Sequence, residues 1–109
     1  MLKVDTQSLT ALISECFDLS MNGDLESDEI RSNFLVAGKQ LRGCLVNLIS
    51  AQFNDGTKDV VEANKELNEV NQNTAKLTQN LASTNDVLGQ INKLVGILDG
   101  LLKIAASFH

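Results

Sequence analysis

VVEANKELNEVNQNTAKLTQNLASTNDVLGQINKLVGILDGLLKIA, residues 60–105, decides the fold of this chain. Apolar or small side chains recur in it at alternating spacings of three and four: Val60, Ala63, Leu67, Val70, Thr74, Leu77, Leu81, Thr84, Leu88, Ile91, Val95, Leu98, Leu102 and Ala105. Such a row averages about 3.5 residues per turn, so on a helix all of it falls on one seam. No proline interrupts it. Read as one helix rising about 1.5 Å per residue, the segment from Thr57 onward is roughly 75 Å long.

Upstream, the same reading gives two shorter helices. Asp5 or Thr6 can cap the first, over about residues 5–20, with Leu9, Leu12, Ile13, Cys16 and Phe17 as its apolar face. Met21-Asn22-Gly23-Asp24 breaks it, Asn-Gly being a strong turn signal. The second helix spans about residues 27–53, buries Ile30, Phe34, Ala37, Leu41 and Leu48, and opens among Asp24, Glu26, Asp28 and Glu29, where negative charge suits the helix dipole. Asn54-Asp55-Gly56-Thr57 then reads as a left-handed glycine followed by a threonine N-cap.

A second helix of that length reaches only roughly 40 Å along the third. A hairpin at Gly56 therefore covers residues 57 to about 84 and leaves the greasier part bare. The row Glu66, Asn73, Asn80 turns apolar as Val87, Leu94, Leu101, and Glu62, Glu69, Lys76, Ser83, Gln90 turns into Ile97 and Ile104. Exposed aliphatic surface on that scale demands a cover.

Two all-α architectures supply it within one domain, residues 1–109. In one, a helical hairpin carries a long, coiled-coil-like helix over about 57–107, and two copies pair through its C-terminal half. In the other, the chain breaks near Ser83-Thr84-Asn85-Asp86, four weak helix formers, and closes an up-down four-helix bundle. The unbroken register of Leu81, Thr84 and Leu88 favours the first, since a turn normally loses phase. The expected interface is Leu88, Ile91, Leu94, Val95, Leu98, Leu101 and Leu102, in a homo-oligomer with a dimer favoured. Beside the seam, Asn64, Asn71, Thr78, Asn85 and Asn92 form either a register-fixing ladder or a solvated shoulder.

Composition narrows the function. Of the 109 residues 43% are hydrophobic, with no Trp or Tyr, and the formal charge is −5. Residues 1–56 hold four Lys/Arg against eight Asp/Glu, and residues 57–109 hold five against six. An acidic chain without stacking aromatics is a poor match for phosphates and bases, which argues against nucleic-acid binding. No secretory signal and no spanning segment are readable, so the expected location is cytoplasmic. Cys16 and Cys44 lie on apolar faces and read as buried thiols, too far apart to pair.

Catalytic signals are sparse. His109 is the one histidine, neither cysteine has an activating neighbour, and Glu62, Glu66 and Glu69 share a charged face with Lys58 and Lys65. The expectation is a non-enzymatic self-association or adaptor protein. A lesser alternative is a membrane-surface helix at the C-terminus, where Gly96 and Gly100 form a small-residue edge. With Asp99 there and few basic residues, an interhelix contact fits better than lipid.

One local motif bears on metal binding. Residues 18–29 read Asp-Leu-Ser-Met-Asn-Gly-Asp-Leu-Glu-Ser-Asp-Glu. This stretch resembles an EF-hand calcium loop, with Asp18, Ser20 and Asn22 at its first, third and fifth positions and Gly23 at the sixth. The resemblance implies a carbonyl ligand from Asp24, a direct or water-mediated ligand from Glu26, and a bidentate Glu29. It covers 12 residues and no second loop accompanies it. The same residues also read as a polar turn whose acids cap the second helix.

Overall fold

Asp5 opens the first helix as expected. Its carboxylate accepts the Ser8 N–H at 3.1 Å and the Ser8 hydroxyl at 2.7 Å, and α1 runs Thr6–Ser20. The computed structural model describes residues 2–25 and 27–106, apart from the side chains of Thr78 and Ala106. Ser27 caps α2 (Asp28–Leu48) by accepting the Ile30 N–H at 3.3 Å. α2 ends short of the expected residue 53, because Phe53 turns inward, is buried, and exchanges two 2.9 Å backbone bonds with Leu2. Thr57 sits at the N-cap of α3 (Lys58–Ala75) but makes no side-chain cap bond, and neither Gly56 nor any other described glycine has a positive φ.

The long third helix favoured by the sequence does not form. α3 stops at Ala75, two 3-10 turns follow at Leu77–Gln79 and Leu81–Ser83, and α4 runs Thr84–Ala106. Among the described residues the chain is all-α with four α-helices, the second of the two arrangements. The reversal comes just ahead of its expected place, so Thr84, Asn85 and Asp86 open α4 instead of breaking the chain.

Each helix packs on two others, in the cyclic order α1, α2, α4, α3. α1 and α3 run parallel: Asn64 donates to Lys3 O and accepts from the Asp5 N–H, and Asn71 donates to Ser8 O at 3.0 Å. α3 and α4 run antiparallel, with Lys93 3.1 Å from Glu66 and Asn73 donating to Gln90 at 2.8 Å. The bundle is thus two antiparallel hairpins side by side, α1–α2 and α3–α4, with both of their turns at one end. Contrary to the expected hairpin at Gly56, α2 and α3 are diagonal, and the segment between them crosses the foot of the bundle.

Gly38 sets the spacing of the first hairpin. A Cβ at that position would sit 3.0 Å from the Phe17 ring, so the missing side chain lets the ring lie on α2. Arg42 then covers the same ring at 5.6 Å from its centroid.

Candidate functional site

The expected interface lies inside the molecule. Leu88, Ile91, Leu94, Leu98 and Leu101 are buried in the chain's own core, and Val95 and Leu102 are half-buried against it. This corrects the expectation that the C-terminal third lacks cover. Folding back at residues 76–83 lays α4 along α2 and α3, and α2, with 21 residues, nearly matches the 23 of α4. The small-residue edge of α4 faces away, with open space around Gly89, Gly96 and Gly100.

The turn between α1 and α2 is built from caps. Asn22 Oδ1 accepts the Asp24 N–H at 2.9 Å, Leu25 is buried, and the Arg31 guanidinium ties Leu25 O to the Asp28 carboxylate. Asp18 and Ser20 belong to the last turn of α1, where the Ser20 hydroxyl donates to Phe17 O at 2.6 Å. Glu29 is in the first turn of α2, and Glu26 lies outside the described residues. Among the described residues no three carboxylate, imidazole or thiolate groups converge as a metal site. The cap bonds of this turn come from Asn22 and Ser27, the Asp28 carboxylate pairs with Arg31, and Asp18, Asp24 and Glu29 form no such group.

The second turn is built differently. Its backbone bonds are short-range: Lys76 N–H to Asn73 O at 3.3 Å, Gln79 N–H to Lys76 O at 3.0 Å, Asn80 N–H to Leu77 O at 3.0 Å, and Ser83 N–H to Asn80 O at 3.1 Å. No described side chain caps the N-terminus of either 3-10 turn, the Thr84 hydroxyl closes the second by donating to Leu81 O at 2.6 Å, and no glycine or proline lies between Lys76 and Thr84. Asn80, with φ −145° and ψ 81°, separates the two turns. Beneath them is a hollow of about 280 Å³ lined by Asn73, Lys76, Leu77, Asn80, Asp86 and Gln90 among others. Leu77 is buried, whereas Leu81 is 44% exposed.

The asparagine row splits. Asn64 and Asn71 are the ladder, tying α3 to the start of α1, and Asn71 Oδ1 is buried with no hydrogen-bond partner. Asn85 and Asn92 are exposed on α4. Of the two readings of this row, the ladder holds for Asn64 and Asn71, within the chain itself, and the solvated shoulder for Asn85 and Asn92.

Neither thiol is poised for chemistry. Burial, reinforced by the Glu15 charge, pushes Cys16 up to about 12. Burial, then the charge of Asp99 and its hydrogen bond, push Cys44 up to about 11. Both cysteines are free. Lys93 is held above the ordinary lysine value, chiefly by its hydrogen bond to Glu66. Among the described residues, five of the seven exposed large hydrophobic ones, Met21, Leu35, Val36, Val46 and Ile49, belong to the segment from the end of α1 to the end of α2, a concentration that the helical periodicity does not single out.

The fold defines the class: a small up-down four-helix bundle with two side-by-side hairpins. No helix among the described residues is long and apolar enough to cross a membrane. Comparisons with protein-family models, with curated proteins and with solved structures give no match.

Proposed function

We propose that this chain is a non-enzymatic helical association module whose first partner is a second copy of itself, acting as an assembly or adaptor subunit. One observation carries this reading. Leu77, Leu81, Thr84 and Leu88 keep the three-four alternation through the very residues at which the chain folds back. A loop that only joined two helices would have no need to hold that phase, whereas a segment that also serves as helix must hold it.

The two thiols, buried and held protonated, add support to a structural role over a nucleophilic one. Free cysteines also suit a reducing compartment, and the proposal places the protein in the cytoplasm. The calcium-responsive alternative has no support from the placement of Asp18 to Glu29 described above, nor does a lipid-binding C-terminus from the inward-facing apolar residues of α4.

Sedimentation velocity across a wide concentration series tests the proposal. A second species at twice the 11.8 kDa chain mass, growing with concentration, is expected. A single species at chain mass throughout would overturn it.

A further inference from the structure

We infer that the second copy is bound by exchange of α4, with residues 76–83 straightening so that α3 and α4 become one helix. This deepens, and rests on, the self-association reading above. It follows from a symmetry in the α3–α4 hairpin. Apart from Leu88, the buried residues from Val60 to Leu101 fall into six pairs whose numbers share one sum, 161: Val60 with Leu101, Ala63 with Leu98, Leu67 with Leu94, Val70 with Ile91, Thr74 with Val87, and Leu77 with Thr84. The two polar ties agree, since Glu66–Lys93 and Asn73–Gln90 have midpoints of 79.5 and 81.5. The seam is therefore symmetric about residues 80 and 81, in the middle of the turn.

A straightened chain and its antiparallel copy reproduce every one of these pairings between molecules. α4 of one copy occupies the place of α4 in the other, and the two-fold axis passes between Asn80 and Leu81. At that axis Leu81, half-exposed in the closed chain, faces its own copy, and Lys76 comes level with Asp86 of the second copy. Both are exposed in the closed chain.

Because the same core contacts serve in both forms, the closed and exchanged states differ mainly in the turn and in the entropy of association. The turn resists little. Its bonds are local i to i+3 bonds, which pass readily into i to i+4 bonds, and Asn80, between the two 3-10 turns, departs further from helical angles than Lys76 or Thr84 at their ends. A proline or a left-handed glycine would lock a reversal at this point, and the turn has neither.

Three variants test the inference by native mass spectrometry and sedimentation. Asn80→Ala favours the straight helix at both hinges and should raise the dimer association constant about tenfold. Leu81→Pro starts the second 3-10 turn, where proline's φ is welcome, but removes a bond from the straight helix; it should lower the constant by at least about a hundredfold while the monomer still melts cooperatively. Finally, Glu66→Lys and Lys93→Glu chains are mixed after separate purification. Each carries a like-charge pair alone, and only exchange of α4 makes both pairs complementary, so mixed dimers should exceed the statistical share. Dimerisation of Leu81→Pro at the parent level, or a statistical mixture, overturns the exchange and leaves self-association standing. A single species at chain mass for both parent and Asn80→Ala overturns both.

Discussion

The two reversals at the same end of the bundle do the same job by different means. Between α1 and α2 the turn is written in local chemistry: an Asn side-chain turn, a serine cap, a buried Leu25, and an arginine that ties the loop to the helix it precedes. Between α3 and α4 the described side chains make no asparagine turn, N-cap bond or arginine tie, and the chain bends through two 3-10 turns over a buried Leu77, the second closed by the Thr84 hydroxyl on Leu81 O. The difference teaches that a reversal can be imposed from outside. What bends residues 76–83 is the gain from burying Ile91, Leu94, Leu98 and Leu101 against α2 and α3.

The largest test removes that gain. Leu94→Ala, at a fully buried position, should cost about 2–5 kcal/mol in urea unfolding. Unchanged stability would mean that α4 is not docked in its own bundle, and the contrast between the turns would collapse. Asn64→Ala, which loses both ties to the backbone of Lys3 and Asp5, should cost about 1–2 kcal/mol. Its effect measures how firmly the second hairpin is held to the first.

The turns themselves can be compared directly. Ser27→Ala removes the α2 cap and should cost about 1 kcal/mol, while Gln79→Ala in the second turn should stay within about 0.5 kcal/mol of the parent. Equal losses in thermal or urea melts would show that the second turn is locally encoded after all.

The smallest effect is a pH dependence. The Ser8 hydroxyl first, and then the Ser8 N–H, hold the Asp5 carboxyl below its ordinary value of 3.8. A depressed folded-state value stabilises the fold above 3.8 and loses that contribution as pH falls through the lower, folded value. Asp5→Asn should therefore narrow the stability difference between neutral and strongly acid solution. The change will be slight, because the group is exposed and screened. A melt series showing the same acid response in both chains would remove Asp5 from the account.

Much of the fold was legible without coordinates. Asp5 as a cap, the Asn22-Gly23 break and the start of α2 all followed from side chains that act on their own neighbours within a turn. The seam is buried through α3 at Val60, Ala63, Leu67 and Val70, but in α4 the burial shifts toward Val87, Leu94 and Leu101, leaving Val95 and Leu102 half-buried and Leu81 exposed. The candidate interface is legible as an apolar surface, but continuous phase along the seam points equally to a straight helix covered by a copy and to a hairpin covered by its own chain. The acidic loop resembles a calcium site because polar helix-helix turns and calcium loops draw on the same Asp, Asn, Ser and Gly residues.

By itself, then, the sequence determined that the chain is helical, where the first two helices begin, which faces are apolar, and where the first reversal lies, since these depend on propensity, periodicity and bonds spanning a few positions. Only the tertiary structure decided that the chain turns again at 76–83, that α2 and α3 lie diagonally, and which surface hides α4. Those choices rest on packing among four helices at once. A seam whose phase suits both a hairpin and a straight rod carries no local mark of which one closes the core.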